Sequence, residues 1–292
     1  MPRRPSAGRD WDWDWDWDWD WGWDWGCGCG WGHSWGCGGA HQVSTLRRDA
    51  AWTALTLLAL LLWEASGADM AVMRLFADAR GFALRDHWLL AQGLHGGGRV
   101  LSWALLAVLV ADTWRPFTGS APGGAPGSPG SPPRRERLFW LAVVLAAAVI
   151  VPALKRASLT SCPWDLAEFG GVARYVPHWL VGVADGGPGH CFPSGHAAGV
   201  LAFIGVYFLW RPYQPQRARQ VAAAVWLLGA VYGTVQVLRG AHLPSHVLWA
   251  AWLCWTMAAG ANAARLAFSR RKGLQPTAAP VASNSGASRP LR

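Results

Sequence analysis

The chain alternates between long apolar blocks and short polar or glycine- and proline-rich breaks. Six blocks stand out: "AWTALTLLALLLWEASG", "VLSWALLAVLVADTW", "LFWLAVVLAAAVIVPAL", "HAAGVLAFIGVYFLW", "VAAAVWLLGAVYGTVQVL" and "HVLWAAWLCWTMAAGANAARLAF". Each is near the ~20 apolar residues that cross a bilayer core. The shorter ones reach that length by tilt or by extension into their flanks. Buried helices of a soluble all-α protein are the competing reading, and six blocks of this length argue against it. The pattern predicts an all-α fold, a polytopic membrane bundle with six transmembrane helices over residues 43–268.

The segments outside the blocks lack packing capacity. Residues 116–137 include "TGSAPGGAPGSPGSPPRRER", and residues 269–292 include "GLQPTAAPVASNSGASRPLR". Both read as disordered Pro/Gly/Ser segments on the cytoplasmic side. Residues 1–42 hold a strict Trp-Asp alternation. Its period is that of a strand, but no partner sheet exists to cover the tryptophans. A repeated Trp-Asp is also a repeated hexanucleotide, so the expectation is a translated repeat upstream of a true start near Val43. The stretch from Ser66 to Arg99 is expected outside, partly amphipathic and lying on the membrane surface.

Composition agrees with a membrane protein: 52% of residues are hydrophobic and only 15% charged. The net charge of +9 is a topology signal. No basic stripe interleaved with aromatics marks a nucleic-acid surface. Arginines gather at Arg134, Arg135 and Arg137, in "RPYQPQRAR" and in "SRRK". The positive-inside rule puts these segments and both termini in the cytoplasm. The loops after the first, third and fifth helices then face outward from a bacterial-type inner membrane.

Polar residues interrupt the outward helix ends. The third block ends at "ALKRASLTSCPWDL", the fourth opens at "CFPSGHAAG", and "VLRGAHLPSH" joins the fifth to the sixth. All of these fall on the outer face, so Lys155, Ser194, His196, Arg239, His242 and His246 can converge. Ionisable residues at such positions are functional by default. The "PSGH" turn sets free backbone N–H groups at a helix start, which suits an anion, and Gly195 lets an oxyanion approach closely. Ser194 can donate its hydroxyl. Lys155 and Arg239 supply charge for phosphoryl oxygens. One histidine can attack phosphorus while another protonates the leaving oxygen. Blander readings stand beside this one. "PSGH" alone serves as a helix cap, Lys155 and Arg156 as interfacial anchors, and His190 as a loop residue. His242 and His246, four apart, match a zinc pair without an evident third ligand. The arrangement requires no metal and no cofactor.

These residues resemble the type 2 phosphatidic acid phosphatase superfamily, which also contains vanadium haloperoxidases and bacterial acid phosphatases. Its signature is K-x6-R-P, then P-S-G-H, then S-R-x5-H-x3-D. "KRASLTSCP" carries Lys155 and Pro163 at the ends of the first pattern, with Cys162 in the arginine's place. "PSGH" is complete, and "QVLRGAHLPSH" aligns His242 with the third-motif histidine. Gln236 stands where that motif has arginine, and His246 where it has the carboxylate. The resemblance covers roughly residues 138–268 and implies a membrane lipid phosphatase. It makes His242 the nucleophile, forming a phosphohistidine, and His196 the general acid. Lys155, Ser194 and Gly195 hold phosphate, Arg239 substitutes for the missing arginine, and a neutral His246 aims His242 by accepting its proton.

The implied reaction is hydrolysis of a lipid phosphate or diphosphate ester at the outer face. Phosphatidic acid, phosphatidylglycerol phosphate, undecaprenyl diphosphate and a lipid A phosphate are the candidate substrates. A haloperoxidase, a lipid phosphotransferase and a non-catalytic relative are the competing readings. The partners expected are the bilayer and the phosphorylated lipid. Cys162 and Cys191 lie in one outer loop, where an oxidising compartment favours a bridge; two buried thiols are the alternative.

Overall fold

The computed structural model describes residues 37–116 and 130–271. The Trp-Asp stretch, most of the 116–137 linker and the end of the tail lie outside the described residues. Helices dominate. They are α1 (Cys37–Ala65), α2 (Ala68–Met73), α3 (Gly97–Trp114), α4 (Arg134–Ala157), α5 (Gly195–Leu201), α6 (Ile204–Trp210), α7 (Pro215–Leu238) and α8 (Pro244–Arg271). A π-helical segment, Leu89–Gly96, runs directly into α3, and a two-residue hairpin pairs β1 (Ala77–Asp78) with β2 (Gly81–Phe82).

Two expected boundaries move. Arg134–Arg137 belong to the first turn of α4, not to the linker. Arg137 is buried there in an ion pair with Asp112 of α3, so the helix start is fixed by charge pairing as well as by apolar packing. The C-terminal helix likewise runs to Arg271, past the expected end at 268.

Among the described residues, three helices are long and apolar enough to cross a membrane: Leu89–Trp114, Arg134–Ala157 and Pro215–Leu238. The expected fourth span is two short helices, α5 and α6, covering Gly195–Trp210. At their junction Phe203 N–H bonds Val200 O at 3.0 Å and Val206 N–H bonds Phe203 O at 2.9 Å. These tighter three-residue bonds break the α ladder. The pair is apolar on nearly every side and is correspondingly buried at the centre of the bundle.

The packing around that centre follows from residue spacing. Trp140, Val144, Ala147 and Val151 recur at intervals of four, three and four, which puts them on one face of α4, and all are buried. Gly205 of α6 sits against this face: a Cβ there would lie 3.3 Å from Val144 and 3.4 Å from Trp140. On α8 the small residues Ala250, Cys254 and Ala258 face the same core, and small side chains let helices approach closely in a bilayer. A second apolar cluster, formed by Met70, Met73, Phe82, Leu166, Phe169, Ala173 and Leu243, ties α2 and β2 to the long loop after α4.

Charged pairs mark one end of the bundle. Arg211 chelates Asp49 with two bonds of 2.8 Å, and Arg265 reaches Glu136 at 3.0 Å. The "PSGH" turn and the α7–α8 connection come at the opposite ends of their helices.

Candidate active site

The sharp connection between α7 and α8 is set by backbone chemistry. Gly240 adopts φ 71°, the left-handed geometry that ends a helix without a Cβ penalty. Its N–H bonds Val237 O at 2.9 Å, and Ala241 N–H bonds Gln236 O at 2.9 Å. Three residues after Ala241, Pro244 opens α8. Between these constraints His242 is almost fully buried.

The long loop after α4 is bound to this connection. A disulfide joins Cys162 to Cys191, with Cα atoms 5.1 Å apart. Trp164 N–H bonds Gly240 O at 3.0 Å. Cys191 Sγ lies 3.5 Å from His242 Nδ1. Asp185 is buried and accepts from Ser161 N–H, Ser161 Oγ and Gly187 N–H. The loop is therefore a built structure that seats Cys191 beside the histidine.

The "PSGH" turn comes next to both. Ser194 is the N-cap residue of α5, yet its side chain makes no capping bond. Its hydroxyl is buried without a partner, so capping does not account for this serine. Its backbone N–H bonds His246 O at 3.0 Å. A Cβ on Gly195 would meet Lys155 Cδ at 3.5 Å, which places the Lys155 stem over the glycine. Because α5 has only seven residues, its dipole is short, and side chains dominate the site's charge.

Arg239, the C-cap residue of α7, donates Nε to Arg85 O at 2.9 Å. Its Nη1 is buried with no partner. Lys155, Arg99 and Arg239 all lie close enough to act electrostatically on His196. Lys155 and His196 act in turn on His242. Burial above all, and then the Lys155 charge, hold the His242 imidazole well below its ordinary pKa. The structure thus brings Lys155, Ser194, Gly195, His196, Arg239 and His242 together. His190 is exposed on the loop, with φ 59°.

His246 differs from expectation. It is fully buried, and neither ring nitrogen has a hydrogen-bond partner. Its ring centre lies 5.8 Å from that of His242. The expected bond that would aim His242 is not made, because His242 Nδ1 faces Cys191 and the His246 ring is turned toward Phe192 and His178 at centroid distances of 5.4 and 6.1 Å. One nitrogen of each histidine and Cys191 Sγ fall within 4.8 Å of one another. With Cys191 in the disulfide there is no thiolate, and two imidazoles remain as metal donors.

Sequence reasoning missed several neighbours. His95, in the π-helical segment, stacks on His196 at 3.7 Å between ring centroids and 28° between planes. Its Nδ1 lies 3.0 Å from Gln236 Nε2. The only sequence signal is a histidine set among glycines in "GLHGGGRV". His178 stacks on Phe192 at 3.8 Å and donates Nε2 to Glu64 Oε1 at 3.2 Å. Burial pushes His178 down to about 4, so this contact is a hydrogen bond from a neutral ring.

Residues 137–270 match the PAP2 superfamily. That stretch contains Lys155, the "PSGH" turn and the His242 connection, and it carries the likeness to the PAP2 superfamily. Among the described residues, the apolar helices long enough to cross a membrane fit a membrane member of that superfamily. Among solved structures, one described as the first transmembrane PAP2 type phosphatidylglycerolphosphate phosphatase from Bacillus subtilis is similar at 14% identity. The likeness covers 80% of this chain and 98% of that one, with a TM-score of 0.45. No curated protein matches the chain by sequence.

Proposed function

We propose that the protein hydrolyses a phosphate or diphosphate ester of a membrane lipid through a phosphohistidine on His242. The observation that carries the reading is a set of buried polar atoms without protein partners: Ser194 Oγ, His196 Nε2 and Arg239 Nη1. They sit beside Lys155 and His242, on elements far apart in sequence. Buried polar groups are normally satisfied, and a phosphoryl group offers acceptor oxygens to all three.

The chemistry follows from placement. Lys155, Arg239 and Ser194 bind the non-bridging oxygens and favour the transition state, where their charge spreads. His242 is held neutral and its Nδ1 lies against Cys191, so Nε2 attacks phosphorus. The P–O bond to the lipid breaks, and protonated His196 gives its proton to the departing oxygen. Neutral His196 then takes a proton from water as the water oxygen bonds to phosphorus and the P–N bond to His242 breaks. Phosphate leaves, and both histidines return to their starting states.

In this reading six crossings form the membrane domain. The α5–α6 pair is the central crossing, and α1 and α8 are the two outside the strict apolar criterion. Asp49 and Glu64 bound the leucine run of α1, and tryptophans and terminal arginines dilute α8. The ion-paired arginine end faces the cytoplasm and the site faces outward.

The test is phosphate release by purified protein from phosphatidic acid, phosphatidylglycerol phosphate, undecaprenyl diphosphate and a lipid A phosphate. The reading predicts release from at least one lipid, with loss of release in His242→Ala. Transfer of phosphate only to an added acceptor alcohol would favour a phosphotransferase. Failure on every lipid would contradict hydrolysis.

A further inference from the structure

We propose that His95 is a positioning residue of the active site, its ring held by Gln236 and stacked on His196 so that the acid points at the leaving oxygen. The inference rests on the reading of His196 as the general acid, and it adds a residue to the site that no sequence motif marks.

Geometry carries the argument. The His95 and His196 rings are 3.7 Å apart at 28°, a face-to-face contact that fixes the plane of both imidazoles. His196 needs such a support: it is the second residue of the seven-residue α5, and its Nε2 is buried without a partner. Nothing else described bonds that nitrogen and locks the ring. His95 is itself anchored, because Gln236 Nε2 is a donor 3.0 Å from His95 Nδ1. Nδ1 therefore accepts, and the His95 proton resides on Nε2 in a neutral ring. Gln236 is buried and belongs to α7. The chain of contact thus runs from α7 through the π-helical segment to α5.

The local backbone suits this task. His95 lies in the π-helical segment Leu89–Gly96, a geometry found mostly as single turns and often at functional sites. Gly93 and Gly96–Gly98 surround it. A Cβ on Gly98 would lie 3.0 Å from the Tyr232 ring, so this segment approaches α7 closely.

Charge explains why the partner must be neutral. His196 already faces Lys155 from α4, Arg99 from α3, and Arg239 and His242 from the α7–α8 connection. From α8, the His246 ring lies beside His242, with ring centres 5.8 Å apart. A second imidazolium stacked on protonated His196 would add like-charge repulsion at van der Waals distance. With Gln236 donating to Nδ1, the His95 ring in the stack is the neutral one that a charged acid tolerates.

The experiment compares two substrates, an alkyl lipid phosphate and an aryl phosphate. The first has a poor leaving group and needs an acid; the second leaves with little help. General acid catalysis is worth roughly 10²–10⁴-fold, and a displacement of about 1 Å costs on the order of 10²-fold. His196→Ala should therefore lose far more on the alkyl substrate than on the aryl one. His95→Ala should follow the same pattern, with about 10- to 100-fold loss of kcat on the alkyl substrate, little change in KM, and near wild-type aryl turnover. That aryl activity also reports a folded enzyme. His95→Phe keeps the stack and should recover most alkyl turnover, whereas His95→Asn should not. Equal losses on both substrates in His95→Ala, alongside a selective loss in His196→Ala, would overturn the inference alone. Equal losses in His196→Ala itself would overturn the acid role and the inference with it.

Discussion

The backbone N–H of Ser194 donates to the carbonyl of His246 at 3.0 Å. This one bond fastens the cap of α5 to the first turn of α8. It joins two elements that are far apart in sequence. It also assigns the structural work of His246 to its backbone, since its ring nitrogens bond nothing. His246→Ala keeps the carbonyl and should retain turnover within about tenfold of wild type, the scale of a packing loss with modest misplacement. Steady-state kinetics on a lipid phosphate checks this. A loss as complete as that of His242→Ala would show that the ring itself takes part in the reaction.

Lys155 and Arg239 should act on the barrier more than on binding. Removing one preorganised donor to a developing oxyanion costs about 10²–10³-fold in kcat. Lys155→Ala and Arg239→Ala should both fall in that range with smaller changes in KM. Arg239→Lys should not rescue, because Nε already serves Arg85 O while Nη1 is buried and unpartnered beside the site, and an ammonium cannot do both. A change confined to KM in Lys155→Ala would contradict the role given to it.

The disulfide makes a stability prediction. Cys162 and Cys191 are 29 residues apart, and closing such a loop is worth about 3.5 kcal/mol in the chain-entropy model. Cys162→Ser should lower the unfolding midpoint and also reduce turnover, because Cys191 abuts His242. In native protein neither thiol should label until a reductant is added. Labelling of both without reductant would refute the bridge.

Much of the site was legible in the sequence because its chemistry lies in short local strings. "PSGH" and the Lys155 and His242 segments are each readable without knowing the fold, and topology alone brings them to one face. Apolar block length gave the helices for the same reason. Three things were not legible. The break between α5 and α6 depends on backbone bonds at Phe203 that no apolar pattern encodes. The α4 start at Arg134 depends on burying Arg137 against Asp112, a pairing across the Pro/Gly/Ser segment. The stack of His95 on His196 joins helices 101 positions apart with no shared motif. His246 was read as an orienting ring from spacing alone; four residues put both rings on one side, but the connection before Pro244 lies outside the helix and turns His242 toward Cys191.

Acid should affect activity in a defined direction. The His242 pKa is depressed, chiefly by burial and next by Lys155. In the proposed mechanism the neutral ring attacks, so the acid limb of activity lies where pH drops through the depressed value, below about 6.5. The same sign holds for stability: below about 6.5 the unfolded chain binds the proton that the folded one refuses, so acid destabilises the fold. Lys155→Met removes a positive charge and should move the acid limb of the residual activity to higher pH. A limb that moves to lower pH in that variant would contradict the electrostatic account.

The central claim is that His242 carries the phosphoryl group. Rapid acid-free quenching of enzyme mixed with a lipid phosphate labelled on phosphorus tests it directly. The account predicts a protein-bound phosphate that is stable in base and lost in acid, maps to the peptide containing His242, and is absent from His242→Ala. It should accumulate at least as much in variants that slow only the water step. Turnover by wild type with no trapped phosphoprotein, or label retained in His242→Ala, would contradict it.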